Sequence, residues 1–266
     1  MTGSVKPSST LLEARDPKPF KIINRTGRTP LLLMCDHSSR AVPTALGKLG
    51  LGEDVFERHI AYDIGTEAVA LGLSSLMDAP LILAGFSRLV IDLNRPLEHK
   101  DSMVEYIDST PIPGNKALTK VARLQRVKEL FHPYHEAINR ELTGLSSRGI
   151  PPIILSVHSF SPNYGMLPRP WDIGVLWNRD PRIAAPLIEI LKTFNLKVGD
   201  NQPYSGKELA YTINKHGGAR GIANCVIEIN QGQLGDNTGV KYWIATMSKA
   251  LRILLRDKGL NKIEHF

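Results

Sequence analysis

Two histidines, His37 and His158, each end a short apolar run that follows a proline, Pro30–Cys35 in one case and Pro152–Val157 in the other. Runs of this length rich in Ile, Val and Leu read as buried strands. In open α/β sheets the carboxyl ends of the strands form the ligand crevice. Two imidazoles released there, with acids elsewhere in the chain to join them, suggest a metal site and hydrolysis.

Two acids stand out. Glu228 interrupts the otherwise apolar run Cys225–Ile229, and unpaired buried glutamates are rare. Burial raises a carboxylate toward neutrality, which suits a general base. Asp63 lies four residues after His59 in a stretch, Asp54–Met77, whose apolar spacing predicts a helix, so the two would share a face. An aspartate in mid-helix among apolar neighbours needs a partner, and a cation would serve. Arg88 and Arg95 bracket the apolar run Leu89–Leu93, read as a strand, and with Asn94 they could clamp a carboxylate through the forked guanidinium. Arg40, just after His37, is a further candidate for that job. His132 and His135 form another pair, but Pro133 disturbs their geometry, and His135 reads better as buried support. Each residue also has a structural alternative: a strand-end histidine on a main-chain carbonyl, a surface acid paired with its neighbour, or a buried glutamate paired with arginine.

Taken together, two neutral nitrogens and one oxygen with an open fourth position are how catalytic zinc is held. Magnesium or calcium would use oxygen ligands throughout, so two imidazoles favour zinc. Zinc would lower the pKa of a bound water, and Glu228 could take its proton and pass it to a leaving amine.

The elements that must position these groups are strands interleaved with helices. Strand-like runs occur at 21–24, 31–36, 81–84, 89–93, 153–158, 173–177, 196–199 and 223–229. Helical spacing covers 121–145, with Pro133 expected to kink it or start a new helix, then 181–194 with Asp180 as N-cap, and 243–258. This alternation predicts a three-layer α/β/α fold with a mixed, mostly parallel sheet. The 266 residues, 42% hydrophobic, suffice for one substantial core. One domain over 21–266 is expected, preceded by a loosely ordered, Ser/Pro/Lys-rich arm at 1–20 that reads as neither signal peptide nor anchor. No apolar run approaches the roughly 20 residues needed to cross a bilayer, and a cytoplasmic enzyme is expected. Cys35 and Cys225 have no partner at metal or redox spacing and read as small buried hydrophobes. The net charge of +7 comes from scattered residues without a basic block, so no nucleic-acid or membrane partner is expected. A small anionic substrate suits that balance. Neither a dinucleotide fingerprint nor a P-loop is present.

At this point the order of segments resembles the N-formylglutamate amidohydrolase family, from Leu31 to Leu234. The matching stretches are Asp36–Pro43, His59–Gly65, Ser87–Arg95, Ile112–Asn115, His132–His135, Val157–Ser159, Asn201–Gly206 and Glu228–Asn230. The resemblance implies a zinc-peptidase relative, with the layered fold of zinc carboxypeptidases and zinc muramoyl-alanine amidases. It implies that His37 and His158 are zinc histidines, Asp63 the acidic ligand, and Glu228 the catalytic glutamate. Arg88, Asn94 and Arg95 fall where an arginine and an Asn-Arg pair hold a substrate carboxylate. The stretch Cys35–Ser38 lacks the His-x-x-Glu pair of carboxypeptidases, so the acidic ligand must come from elsewhere: Asp63, with Asp36 as fallback. The expected activity is zinc-dependent cleavage of the amide bond of a small N-acyl amino acid. A peptidoglycan or peptide amidase of the same fold is the alternative enzyme, though it would be expected to carry an export signal or wall-binding module. A non-catalytic basic α/β binding protein is the alternative outside catalysis.

Overall fold

The computed structural model describes residues 10–266. Seven strands form one sheet: β1 (Phe20–Ile23), β2 (Leu31–Cys35), β3 (Leu81–Ala84), β4 (Ile153–Phe160), β5 (Ile173–Leu176), β6 (Val198–Asp200) and β7 (Asn224–Asn230). Their order across the sheet is β1-β3-β2-β4-β7-β5-β6. The central four, β3, β2, β4 and β7, run parallel. β1 and β5 join them antiparallel, and β6 runs parallel to β5.

Strand side chains alternate between faces with a period of two. In β2, β3, β4, β5 and β7 the odd-numbered apolar residues pack into one core, against α1 (Thr66–Met77), α4 (Pro181–Lys192) and α5 (Asn237–Leu254). The even-numbered ones pack into the other, under α3 (His132–Ser146) and the turn that joins it to α2 (Lys120–Arg126), whose own Val121 and Leu124 are exposed. Both faces are thus covered, giving the three layers expected. A single π-type turn, Val127–Phe131, joins α2 to α3, and Pro133 sits in the first turn of α3, as its missing N–H allows. Asp180 caps α4 as predicted, its side chain accepting from the Arg182 N–H. The closing helix starts six residues earlier than expected, at Asn237, and gives way to a short 3-10 turn after Leu254. Among the described residues no helix is long and apolar enough to cross a membrane.

Residues 1–9 of the expected arm lie outside the described residues. The remainder is pinned: Leu11 is buried, the Leu11 and Leu12 N–H groups donate to Glu129, and Asp16 accepts from Thr44.

One expected element forms only in part and another does not form, and both matter to the site. The helix begins at Thr66, not near Asp54. Residues 58–65 are held in an irregular path because the Asp63 N–H donates to the His37 carbonyl at 2.9 Å. Gly65 then turns the chain with φ of 80°, where a Cβ would come within 2.7 Å of Leu234. His59 and Asp63 therefore share no helix face, and His59 bonds Asp108 instead. The run Leu89–Leu93 is buried but makes no ladder. Its carbonyls are satisfied by side chains from far along the chain: Asn115 on Leu89 O at 2.8 Å, Arg126 on Val90 O at 2.8 Å, and His135 on Leu93 O at 3.1 Å. A buried main chain outside regular structure requires such partners.

Candidate metal centre and active site

The alternation that builds the second core also aims the polar groups. Ser156 and His158 on β4, and Glu228 on β7, occupy even positions and so share the face of Ile154 and Val226. His158 and Glu228 are register partners across the β4–β7 pair, and Gly174 of β5 is the partner of Glu228 on its other side. Any side chain at Gly174 would collide with the Gln202 carbonyl, 2.0 Å from an added Cβ. His37 follows the end of β2, and Asp63 comes from the irregular segment that its hydrogen bond to the His37 carbonyl holds in place.

The structure brings His37, Asp63 and His158 together as a buried cluster whose candidate ligand atoms all lie within 4.8 Å of one another. The Asp63 Oδ2 atom is 2.8 Å from His158 Nδ1 and 3.5 Å from His37 Nδ1. The rings stand edge to face, with centroids 5.0 Å apart. The far nitrogens are equally constrained. His37 Nε2 donates to Asp92 Oδ1 at 2.7 Å. His158 Nε2 donates to Asp36 Oδ2 at 3.2 Å, with Ser156 Oγ at 3.0 Å. Asp36 is held in turn by the Tyr134 hydroxyl at 2.7 Å, and Asp92 by Arg88 Nη2 at 2.9 Å. Carboxylates behind each imidazole fix the Nε2–H tautomer and leave both Nδ1 lone pairs facing Asp63, an arrangement typical of metal-binding histidines. His37 Nδ1 is buried and makes no hydrogen bond. Two nitrogens and a carboxylate oxygen around one point, one of them orphaned, fit a divalent cation of the zinc type.

The electrostatics agree with this arrangement. Burial acts to raise the Asp63 carboxyl, but the two imidazoles outweigh it and hold it below the usual carboxylate range. Burial likewise opposes, and is overcome by, the His37 and Arg88 charges that hold Asp92 well down. His158 shows the converse: burial would lower it, yet Asp36 and Asp63 hold it well above an ordinary histidine. The nitrogens thus sit in a strongly cation-attracting field, where a metal ion and protons compete for the same lone pairs. Glu228 is different. Burial, the largest influence, pushes it up to about 7, despite the opposing pull of His158. Its Oε2 is buried without a partner, so this carboxyl is poised to exchange a proton near neutrality.

A cleft of about 810 Å³ opens over the cluster, with His37, Asp63, His158 and Glu228 in its lining. Arg88, Asn94 and Arg95 line it too. Arg88 is committed to Asp92 and Asp63. Asn94 is buried, its amide donating to Leu209 O and accepting from Thr212 N, so it braces the cleft wall. Arg95 donates to the Asn94 and Leu209 carbonyls, and its Nε is buried without a partner. Arg40, the further candidate for holding a carboxylate, stands outside the cleft lining, ion-paired with Glu57 and over the Tyr62 ring. The turn after His37 points it toward the residue 53–58 segment. Asp36, the fallback ligand, stands behind His158, not beside Asp63. His135 is buried support, as expected, stacked on His216. Both cysteines are free and buried.

Sequence reasoning missed Asp92 and Tyr134, which hold His37 and Asp36, and Arg169 and Tyr204, which line the cleft. Asp92 carried the same signal that flagged Glu228, a lone acid in an apolar run. The other three lie in segments without such a pattern.

Comparison with solved structures returns a gene product of Agrobacterium tumefaciens, Atu2144, at 29% identity, covering 92% of this chain and 98% of that one with a TM-score of 0.90. N-formylglutamate amidohydrolase from Ralstonia eutropha shares the fold at 20% identity, covering 90% and 97% with a TM-score of 0.62. Comparison with curated proteins gives no match. The model of one family, described as N-formylglutamate amidohydrolase, matches residues 29–234, a span that contains every residue of the cluster and Glu228. Mixed-sheet fold, strand-end site and family match define a hydrolase that acts on amide bonds and has an α/β sheet fold. Within that class the chain belongs to the N-formylglutamate amidohydrolase family.

Proposed function

We propose that this enzyme is a zinc-dependent amidohydrolase that cleaves the amide bond of a small, anionic N-acyl amino acid. The observation that carries the reading is the convergence of His37 Nδ1, His158 Nδ1 and Asp63 Oδ2, backed by Asp92 and Asp36, beside the unpartnered Glu228 carboxyl. When bound there, zinc supplies Lewis acidity at the acyl carbonyl and lowers the pKa of water.

The chain's own residues account for the remaining steps. Glu228 takes a proton from the attacking water as the water oxygen bonds to the acyl carbon. It returns that proton to the amide nitrogen as the C–N bond breaks, giving a free acid and an amine. Asp36 and Asp92 hold the two imidazoles in orientation, and Arg88 holds Asp92 and Asp63. Arg95, with no acidic partner among the described residues, meets the substrate carboxylate. Fixing that carboxylate orients the amide, an effect that can contribute several kcal/mol.

The cleft volume favours a second reading. About 810 Å³ falls in the range, roughly 300–1,000 Å³, of pockets that hold drug-sized ligands, so a peptide or peptidoglycan amide would also fit. Assays of metal-reconstituted protein on N-formyl and N-acetyl amino acids, against short N-acyl peptides, separate the two. Turnover confined to the single amino acids supports the first reading, and turnover confined to peptides replaces it with the second. The cytoplasmic location belongs to the same proposal and is tested by fractionating cells.

A further inference from the structure

The arginines around the cleft differ in what their guanidiniums already hold. Arg88 is bonded to two aspartates and Arg40, outside the cleft, to a glutamate. Arg169 lines the cleft and makes no ion pair among the described residues. Its Nη1 donates to the Ser161 carbonyl and to the Tyr204 hydroxyl, both at 3.1 Å. Three rings fix the group in place: its guanidinium carbon lies 4.9 Å from the Tyr204 centroid, 5.6 Å from Tyr164 and 5.8 Å from Phe160. Stacking on aromatic faces leaves the in-plane edge of a guanidinium open, and beyond the two Nη1 hydrogen bonds the Nε and Nη2 donors remain, a rigid fork that matches a carboxylate. A permanently charged, half-buried fork, held still and facing an open cleft without a counter-charge, is prepared for an anion that arrives from outside.

We propose that Arg169 is a specificity-determining residue that binds a carboxylate of the substrate. The proposal rests on the amidohydrolase reading above and extends it. Arg95 and Arg169 then form two separate anion contacts in one cleft, and the enzyme selects substrates by carboxylate number and position.

The test compares wild type, Arg169→Met and Arg169→Lys on N-formylglutamate, N-formylglutamine and the α-amide of N-formylglutamine. Loss of a charge-assisted hydrogen bond predicts a fall in kcat/KM of about 10- to 100-fold for Arg169→Met, partly restored in the lysine variant. A fall on N-formylglutamate alone assigns the side-chain carboxylate to Arg169. A fall on both acids with the α-amide unchanged assigns the α-carboxylate. An unchanged rate, or an equal fall on all three compounds, overturns the proposal, because a purely structural role would not alter selectivity. Calorimetric binding of glutarate to the zinc-loaded protein needs no turnover and separates the two readings. Weaker binding by Arg169→Met supports the arginine even where no amide is cleaved. Equal affinity in both proteins, or no binding to wild type, overturns it even where hydrolysis is fast.

Discussion

His158 and Glu228 are direct register partners on adjacent parallel strands, so a candidate metal ligand and a candidate base stand side by side on one face of the sheet. Their spacing is set by strand pairing, not by a flexible loop. A one-residue slip between β4 and β7 would send one of them into the opposite core.

Replacing Glu228 by Gln keeps the volume and removes the proton acceptor. We expect kcat to fall by about 10²- to 10⁴-fold, with metal content unchanged by elemental analysis. In wild type, kcat/KM should rise with pH as this carboxyl loses its proton. The limb should be centred at or below about 7, since burial pushes Glu228 up to that value and a bound cation draws it down. The limb should vanish in Glu228→Gln, and its persistence there would assign the base elsewhere.

Asp92→Asn and Asp36→Asn test the carboxylates behind the imidazoles. Each should weaken zinc affinity by about 10- to 100-fold while the far-ultraviolet spectrum stays that of wild type. A competition titration with a chromophoric chelator measures this directly. Zinc affinity should also fall with decreasing pH, because Asp36 and Asp63 hold His158 well above the ordinary histidine range and protons compete for its Nδ1.

Arg126 is a buried guanidinium without an acid partner among the described residues, pushed down to about 10 by burial. It donates to Val90 O, in the irregular segment that carries Arg88, Asp92 and Asn94, and to Gly114 O and Asn115 Oδ1 in the turn whose Asn115 donates to Leu89 O. Arg126→Met leaves these acceptors bare and should destabilise the fold by about 3 kcal/mol in urea unfolding. It should also weaken zinc binding, through Asp92, in whatever fraction folds.

His135 and His216 give the apo-protein a defined acid sensitivity. Burial pushes them down to about 4 and about 3, with His216 Nε2 donating to His135 Nδ1 at 2.8 Å. Both are neutral when folded, whereas an unfolded histidine takes up a proton near 6.5. Their contribution is therefore complete above about 6.5 and is lost as pH falls from there toward 4. For His135 alone the shift corresponds to about 3 kcal/mol. Urea midpoints measured between pH 7.5 and 4.5 should show a steep decline that is reduced in His216→Gln.

Much of this site is legible in the sequence, and the parts that are not share one cause. His37, His158 and Glu228 were legible because strand ends and lone polar residues in apolar runs are local signals. Asp63 stands beside the two histidines on a local structure that its spacing does not predict: the expected helix is broken by the His37 carbonyl and by Gly65, neither of which shows in helical spacing. Leu89–Leu93 looked like a strand because apolar runs report burial, not pairing. What keeps it irregular is three side chains from 22 or more residues onward, Asn115, Arg126 and His135. Arg40 and Arg169 show the same limit: whether an arginine is already paired depends on contacts that no spacing encodes.

The central claim is that His37, Asp63 and His158 jointly hold one divalent cation. Its most direct test is zinc stoichiometry by elemental analysis after reconstitution and desalting, for wild type, His37→Ala, Asp63→Ala and His158→Ala. One ion per chain in wild type and almost none in each folded variant is the predicted result. Full occupancy in any of the three, or an empty wild type under saturating zinc, would contradict the account.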